Sequence, residues 1–188
     1  MSKVQNKYAL ISVSDKSNIE NIARSLVDLG YRILSTGGTA KYLTSMNIPN
    51  VSVSDFTEFE EILGGRVKTL HPKIHAGILA KSLKDLEDCS DVYDLIDIVI
   101  VNLYPFEKTI SNSNCTYEDA IENIDIGGPA MLRAAAKNHN RVTVITDPND
   151  YPKVIDEISK NNRTTISLRK YLAHKVFKQT SNYDAAIR

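Results

Sequence analysis

The run IDIVIVNLYPF, residues 96–106, decides the fold class of this chain. Its first six residues form a nearly unbroken series of Ile and Val, which is typical of a strand covered on both faces. Asn102, Tyr104 and Pro105 then end the apolar run. Strands of this kind occur mainly in parallel sheets between two layers of helices, so the stretch predicts an α/β protein.

Similar short apolar strands alternate with helical patterns along the rest of the chain. Strands are predicted at residues 8–13, 32–35, 51–53 and 142–145. Helices are predicted at residues 18–29, 39–46, 56–63, 116–124, 129–138, 150–160 and 167–186. The first helix would begin with a capping box of Ser17 and Glu20 and end at Gly30. This alternation indicates right-handed βαβ units and a parallel sheet, in which ligands bind beyond the carboxyl ends of the strands.

The composition excludes several classes of protein. The 188 residues include 23 Lys and Arg and 23 Asp and Glu, which gives a formal net charge of zero. A balanced surface argues against non-specific binding to nucleic acid or to an anionic membrane. Cys89 and Cys115 lie in unrelated contexts, so neither a zinc site nor a dithiol redox motif is expected. No segment has the apolar length of a membrane span, and we expect a single cytoplasmic domain over residues 1–188.

Two predicted strands are followed by short stretches suited to holding an anion. Ser12, Ser14 and Lys16 lie where the first strand turns into a helix, and a helix N-terminus offers free N–H groups. The second strand is followed by Thr-Gly-Gly-Thr, residues 36–39, whose glycines allow the backbone to approach a ligand closely. Either stretch alone also fits an ordinary cap or turn. Together, after neighbouring strands, they favour a cradle for one phosphate group.

A basic stretch, GGRVKTLHP at residues 64–72, contains Arg66 and Lys68. Alternate side chains of an extended segment share one side, so both cations would reach one pocket, although a solvated basic loop is the commoner fate of such pairs. His71 and His75 have the i,i+4 spacing of a metal pair, but Pro72 is expected to break the helix that such a pair needs. We therefore expect no metal site here.

Further polar groups follow the buried strand and precede a predicted helix. Asn102 and Tyr104 come directly after the strand, where they would face a crevice unless Tyr104 packs as a core aromatic. Asp125 precedes a Gly-Gly pair that opens a helix, and the N–H groups and dipole of a helix start suit an anion. Lys137 lies near the other end of that helix, where it either exchanges protons or belongs to an exposed basic stripe.

These five stretches together resemble the N-terminal domain of the bifunctional purine enzyme family that combines AICAR formyltransferase with IMP cyclohydrolase. The matching words are SVSDK (12–16), STGGT (35–39), GGRVKTLHPKIHAGILA (64–80), NLYPF (102–106) and ENIDIGGPAMLRAAAKN (122–138). The similarity covers nearly the whole chain, whereas the TGGT loop alone is shared with the wider methylglyoxal-synthase-like fold. The resemblance implies a three-layer α/β/α sandwich with a central, mainly parallel sheet.

The resemblance also implies an activity, a substrate and a homodimer. The activity is that of IMP cyclohydrolase, which closes the purine ring of 5-formamidoimidazole-4-carboxamide ribotide (FAICAR) to give IMP and water without a metal or organic cofactor. The matched residues expected to hold the 5′-phosphate are Ser12, Ser14, Lys16, Thr36, Gly37, Gly38 and Thr39. Those expected around the base are Arg66, Lys68, Thr69, Val101, Asn102, Asp125, Ile126, Gly127 and Gly128.

Four matched positions are expected to be catalytic. Lys137 would be the principal proton donor or acceptor, with Lys68, Tyr104 and Asp125 as its partners. Such groups are needed because the carboxamide nitrogen is a poor nucleophile that must lose a proton, while the departing hydroxyl must gain one. The oxygen that gains negative charge during ring closure would be stabilised by Lys68 or by the amides of the Gly-Gly pair.

Two departures from the family pattern and two alternatives complete the sequence interpretation. The family usually continues SVSDK with Thr-Gly, whereas this chain has Ser17-Asn18, which changes the turn into the first helix. The chain stops at Arg188, where the family continues into its formyltransferase domain, so we expect that activity to be absent. The alternatives are methylglyoxal synthase, which leaves the RVKTLHP and AAAKN words unexplained, and a non-catalytic regulatory module that binds a nucleotide.

Overall fold

The computed structural model describes residues 6–87, 89 and 93–188. The strands within these residues are β1 (Lys7–Val13), β2 (Tyr31–Ser35), β3 (Val51–Ser52), β4 (Ile96–Asn102) and β5 (Thr143–Ile145). The α-helices are α1 (Ile19–Asp28), α2 (Gly37–Ser45), α3 (Val53–Thr57), α4 (Pro72–Leu79), α5 (Lys84–Glu87), α6 (Phe106–Ile110), α7 (Tyr117–Glu122), α8 (Gly127–Lys137), α9 (Tyr151–Asn161) and α10 (Ile166–Ile187). Two 3-10 turns lie at Leu63–Gly65 and Pro148–Asp150.

The strands form one parallel sheet in the order β3-β2-β1-β4-β5. Because every strand runs the same way, all carboxyl ends lie along one edge. The chain leaves β1 towards β2 on one side, and β4 pairs with β1 on the other. Parallel sheets bind ligands at the carboxyl edge, where neighbouring connections diverge in this way. The sheet order therefore places the expected site beyond the ends of β1 and β4.

Helices cover both faces of the sheet, as the run of Ile and Val in β4 predicted. Leu10 and Ile11 are adjacent in β1 and point to opposite faces, yet both are fully buried. Val99 and Ile100 of β4 are buried in the same way. The predicted α/β fold with a parallel sheet is therefore confirmed. No helix among the described residues is both long enough and apolar enough to cross a membrane.

The start of α1 differs from the prediction because a local hydrogen bond forms in place of the predicted cap. The predicted capping box of Ser17 and Glu20 is wrong: Asn18, with φ 58°, occupies the cap position and its side chain makes no cap hydrogen bond. The hydroxyl of Ser17 donates to Asp15 Oδ1 instead, at 2.6 Å. Gly30 does end α1, with φ 83° and its N–H donating to the carbonyl of Val27.

The predicted helix over residues 56–63 is also wrong. Ser52 accepts a hydrogen bond from the Asp55 N–H, and this cap starts α3 at Val53, earlier than predicted. The helix ends at Thr57, and the residue after it, Glu58, has φ 58°. Beyond it, residues 62 and 67 pair in an antiparallel bridge around the turn Leu63–Gly65, in which all three residues have positive φ. This reversal turns the chain back towards the carboxyl edge of the sheet.

Three helices that the sequence interpretation missed lie in the intervening loops. The longest, α4, begins at Pro72, and the His71 side chain accepts a hydrogen bond from the Lys73 N–H. Pro72 therefore starts a helix instead of breaking one, because a proline in the first turn loses no helical hydrogen bond. The short helices α5 and α6 contain too few residues to show a 3.6-residue apolar period.

Candidate active site

A cavity of about 490 Å³ lies beyond the carboxyl ends of β1, β2 and β4. We call it the edge pocket. It brings together every residue predicted to bind or transform a substrate, with the exception of Lys137. These residues are Ser12, Ser14, Lys16, Thr36, Gly37, Gly38, Thr39, Arg66, Lys68, Thr69, Val101, Asn102, Tyr104, Asp125, Ile126, Gly127 and Gly128.

Hydroxyl groups join the loops that follow β1 and β2. The Ser12 and Thr36 hydroxyls lie 2.8 Å apart and form one hydrogen bond. The Thr39 hydroxyl accepts from the Val13 N–H and donates to the Val13 carbonyl, both at 3.1 Å. Thr39 is buried, and its hydroxyl is committed to these two bonds. Thr39 thus has a structural role, in which it fixes the distance between the two loops, and its predicted contact with a phosphate stays a prediction.

The start of α2 provides the free donors at this end of the pocket. Gly37 and Gly38 open α2 and are exposed, and Gly37 has φ 41°, so the Gly-Gly pair makes the turn from β2 into the helix. The first N–H groups of an α-helix have no partner inside the helix and point outward with the positive end of its dipole. Lys16 lines the same end of the pocket and adds a positive charge. This arrangement suits a phosphate group.

We expect Thr39→Val to destabilise the protein by about 1–3 kcal/mol, because the buried Val13 N–H and carbonyl would lose their hydrogen-bond partner. Val has the same shape as Thr, so the packing is preserved. Thr39→Ser keeps the hydroxyl and is the matched control, with a smaller expected loss. Urea unfolding measures both variants. Equal unfolding midpoints for Thr39→Val and the wild type would contradict the structural role of this hydroxyl.

Asn102 at the end of β4 holds the loop after β1. Its Oδ1 atom accepts from the N–H and the hydroxyl of Ser14, at 2.7 and 2.8 Å, and from the Asp15 N–H at 2.9 Å. Its Nδ2 atom donates to the Asp15 carbonyl at 3.0 Å. The Ser14 hydroxyl also lies 2.9 Å from the Leu103 carbonyl. The Asn102 carboxamide, predicted to contact the base, is thus occupied in joining two loops.

The basic stretch reaches the mouth of the edge pocket by way of the turn at Leu63–Gly65. Arg66 and Lys68 both line the pocket, as the sequence predicted. The Arg66 Nε atom lies 3.6 Å from the Glu122 carboxylate, and both side chains are largely exposed. Lys68 is more enclosed and lies close enough to Asp125 for its charge to act on that carboxyl. Arg66 therefore lies at the rim of the edge pocket, and Lys68 lies further inside it.

Asp125 has hydrogen bonds both at its carboxylate and at its own N–H. Its Oδ1 atom accepts a hydrogen bond from the Gly128 N–H at 2.8 Å. Burial raises the pKa of its carboxyl above the ordinary value, while N–H bonds from Gly128 and Tyr104 and the charge of Lys68 oppose that rise. The Gly128 N–H therefore has a partner inside the protein, and stabilisation of a substrate oxygen by the Gly-Gly amides stays a prediction.

The glycines at the start of α8 leave room that a side chain would fill. A Cβ atom added to Gly128 would collide with Asp125 Oδ2 and would lie 2.8 Å from the Leu103 side chain. A Cβ atom on Gly127 would lie 2.5 Å from the Thr69 hydroxyl. Close packing around Asp125 and Thr69 thus requires glycine at both positions.

Lys137 does not reach the edge pocket. It is the last residue of α8, ten residues after Gly127, and the rise of 1.5 Å per residue separates the two by about 15 Å along the helix. Its side chain is exposed at the end of the helix that faces away from the pocket. Direct proton transfer requires hydrogen-bond distance between the groups involved, and within one chain Lys137 does not lie at that distance from the groups lining the pocket. Its catalytic role stays a prediction.

Some residues at the site were assigned no role by the sequence analysis, although three of them lie within the matched run at residues 122–138. Glu122, Asn123 and Met131 line the edge pocket, but no spacing or motif chemistry singled them out. Tyr183 of α10 lies behind the pocket, where its hydroxyl accepts a hydrogen bond from the Asp125 N–H at 2.8 Å. That contact joins residues 58 positions apart, so only the folded arrangement of α8 and α10 reveals it.

A parallel sheet with a pocket of helix-start amides, hydroxyls and lysines at its carboxyl edge defines an α/β domain built to bind an anionic ligand. Residues 18–130 match the MGS-like domain family, and residues 135–188 match the AICARFT/IMPCHase bienzyme family. The chain belongs to the MGS-like domain family and corresponds to the IMP cyclohydrolase region of the AICARFT/IMPCHase bienzyme.

Two known proteins illustrate the relationship. The bifunctional purine biosynthesis protein PurH of Streptococcus mutans serotype c is 52% identical over 186 residues, which cover 96% of this chain and 36% of that protein. The present chain thus spans about a third of the length of that relative. A crystal structure of ForH superposes with a TM-score of 0.85 at 34% identity, covering 97% of each chain.

Proposed function

We propose that this chain is an IMP cyclohydrolase, which converts FAICAR to IMP and water. One observation carries the proposal: Lys68, Tyr104 and Asp125 line a pocket that also contains a cluster of anion-binding groups. A ribonucleotide needs both kinds of group, because its phosphate requires donors while its reacting base requires proton exchange. The identity to a bifunctional purine biosynthesis protein supports this substrate class.

The two ends of the pocket suggest how the substrate lies. The 5′-phosphate would bind at the N–H groups of Gly37 and Gly38, with Lys16 and the paired hydroxyls of Ser12 and Thr36 beside it. The base would then extend towards α8, where Lys68 and Asp125 lie. Positioning of this kind matters because well-oriented intramolecular reactions gain roughly 7–11 kcal/mol of barrier reduction from it.

Ring closure forms one bond between the carboxamide nitrogen and the formyl carbon, and it expels one water. The nitrogen loses a proton, for which the Asp125 carboxylate is the proposed acceptor. The formyl oxygen gains negative charge, which the Lys68 ammonium stabilises, and it then takes the proton held by Asp125 to become a hydroxyl. A second proton, from the Tyr104 hydroxyl, lets this hydroxyl leave as water as the C–O bond breaks. The formamide nitrogen gives its proton to the Tyr104 phenolate as the C=N bond of the ring forms. Tyr104 is half-exposed and lines the same pocket as Asp125.

The two alternatives are less well supported. Methylglyoxal synthase does not account for the match of residues 135–188 to the bienzyme family. A regulatory module that only binds a nucleotide leaves the grouping of Lys68, Tyr104 and Asp125 without a purpose. Assays of triose-phosphate turnover and of nucleotide binding without turnover distinguish these alternatives from the proposal.

The direct test is ultraviolet absorbance of the purified protein mixed with FAICAR, in the presence of a chelator and without folate. We expect IMP to appear much faster than in the protein-free control. Tight binding of FAICAR with no IMP formed would contradict the proposed function and favour the regulatory module.

We expect Lys16→Met to raise KM for FAICAR about tenfold and to leave kcat almost unchanged, because a charged hydrogen bond to phosphate contributes roughly 1.5–3 kcal/mol. The effect should disappear with the ribonucleoside that lacks the 5′-phosphate, since Lys16 would then have no charge to neutralise. Steady-state kinetics on the two substrates measures the difference. An equal KM increase with both substrates would place the phosphate elsewhere in the pocket.

We also propose that the protein forms a homodimer in the cytoplasm and does not bind nucleic acid. The formal net charge of zero supports the last point, since non-specific nucleic-acid binding requires an excess of positive charge. Light scattering after size-exclusion chromatography measures the mass. A mass of one chain at micromolar concentration would contradict the dimer.

A further inference from the structure

Tyr183 connects the last turns of α10 to both segments that carry the proposed catalytic groups. Its hydroxyl accepts a hydrogen bond from the Asp125 N–H at 2.8 Å. Its ring packs edge-to-face on Phe106, with ring centroids 6.4 Å apart. Phe106 is the first residue of α6 and follows Tyr104 by two positions. One side chain therefore touches the segment of Asp125 and the segment of Tyr104.

The same two segments also meet at the edge pocket, which both Tyr104 and Asp125 line. The Gly128 N–H donates to the Asp125 Oδ1 atom. Asp125 is thus held at its carboxylate by the Gly128 N–H and at its own N–H by Tyr183. Tyr183 lines a neighbouring cavity and is not among the residues that line the edge pocket.

We infer that Tyr183 is a positioning residue, which sets the orientation of Asp125 for ring closure. This inference rests on the proposed function. Without the Tyr183 hydroxyl, the Asp125 N–H loses its acceptor inside the protein, and the segment before α8 relaxes to regain one. The carboxylate then shifts relative to the substrate, and a displacement of about 1 Å is enough to reduce a rate by roughly 10²-fold.

The two family matches place Tyr183 apart from most of the pocket. The match to the MGS-like family spans residues 18–130, which contain Tyr104 and Asp125, whereas Tyr183 lies within residues 135–188, which match the bienzyme family. The C-terminal helix therefore brings a contact to Asp125 from outside the MGS-like segment. This location is consistent with a residue that adapts the MGS-like fold to the proposed ring closure.

The test compares Tyr183→Phe with the wild type and with Tyr171→Phe, a control on the same helix whose tyrosine is half-exposed and lies outside the edge pocket. Tyr183→Phe removes one oxygen and keeps the ring on Phe106. We expect its kcat for IMP formation to fall about tenfold, with KM within about twofold of the wild type. Tyr171→Phe should keep both constants. A purely structural role would leave kcat of the folded variant unchanged.

A double-mutant cycle with Asp125→Asn tests whether Tyr183 acts through Asp125. In the Asp125→Asn background, Tyr183→Phe should lower kcat by less than about twofold, because its target is already disabled. Independent, multiplying losses would overturn the inference, and so would full activity of Tyr183→Phe.

Amide hydrogen exchange provides a second measurement that does not depend on turnover. The Asp125 amide should exchange at least about tenfold faster in Tyr183→Phe than in the wild type, because its acceptor is lost. Unchanged exchange would also overturn the inference. A wild-type protein that forms no IMP would instead contradict the proposed function, whereas an active wild type with an equally active Tyr183→Phe contradicts the positioning role alone.

Discussion

Asp125→Asn is expected to lower kcat for IMP formation about 10³-fold, within the range for loss of a general acid–base group, and to leave KM within about threefold. Asn has the shape of Asp, and its carbonyl oxygen still accepts a hydrogen bond from the Gly128 N–H. It does not take up a proton at neutral pH. The substitution therefore removes the proposed proton acceptor while preserving the start of α8.

The pH profile gives this prediction a second readout. Burial raises the pKa of the Asp125 carboxyl above its ordinary value of 3.8, and the proposed acceptor is active only when ionised. As the pH falls through that raised pKa, kcat of the wild type should fall, and this acid limb should be absent from Asp125→Asn. Asp119→Asn, at an exposed carboxylate that caps α7, is the control and should keep the wild-type profile. A wild-type rate for Asp125→Asn would remove Asp125 from the mechanism.

Gly128→Ala is expected to lower kcat more than about 10²-fold and to destabilise the protein by about 1–3 kcal/mol. The new Cβ atom would collide with Asp125 Oδ2 and press on Leu103. Neither neighbour is free to move away, since the Asp125 carboxylate is bonded to the Gly128 N–H and Leu103 is buried. The collision therefore outweighs the roughly 1 kcal/mol that alanine normally adds to a helix.

Gly38→Ala at the start of α2 provides the matched comparison for stability. A Cβ atom there meets no other atom within 4 Å. This variant should gain about 0.5–1 kcal/mol of unfolding free energy, because alanine loses less backbone entropy than glycine. Urea unfolding of the two variants should thus give shifts of opposite sign. A stabilised Gly128→Ala would show that the Asp125 segment adapts easily, contrary to the packing described.

The fold was largely predictable because the strands can be recognised in the sequence as short apolar runs. The Ile and Val series of β4 requires burial on both faces, and the helices between strands then follow from connection geometry. The failures have local causes. The Ser52 side chain moved the start of α3, and the first helix began without the expected capping box because Ser17 bonds to Asp15. The exact start of a helix depends on such hydrogen bonds, which cannot be predicted from the spacing of apolar residues.

Which residues line the edge pocket was easier to predict from the sequence than the role of each residue there. Strand ends and short motifs brought together Lys68, Tyr104 and Asp125, because the carboxyl ends of a parallel sheet meet at one edge. The sequence could not indicate that the Thr39 hydroxyl and the Gly128 N–H already have partners inside the protein. Whether such a hydrogen bond forms depends on differences of a few tenths of an ångström in the distance between segments that are far apart in the chain.

The loops after β1, β2 and β4 are tied together through three side chains, those of Ser12, Thr39 and Asn102. No one of these loops is free to vary alone. A replacement at Thr39 alters the position of Val13, and a replacement at Asn102 releases Ser14. Substitutions tolerated at these positions should consequently occur in pairs, and grafting one loop from a related protein should fail unless its partner loop is exchanged with it.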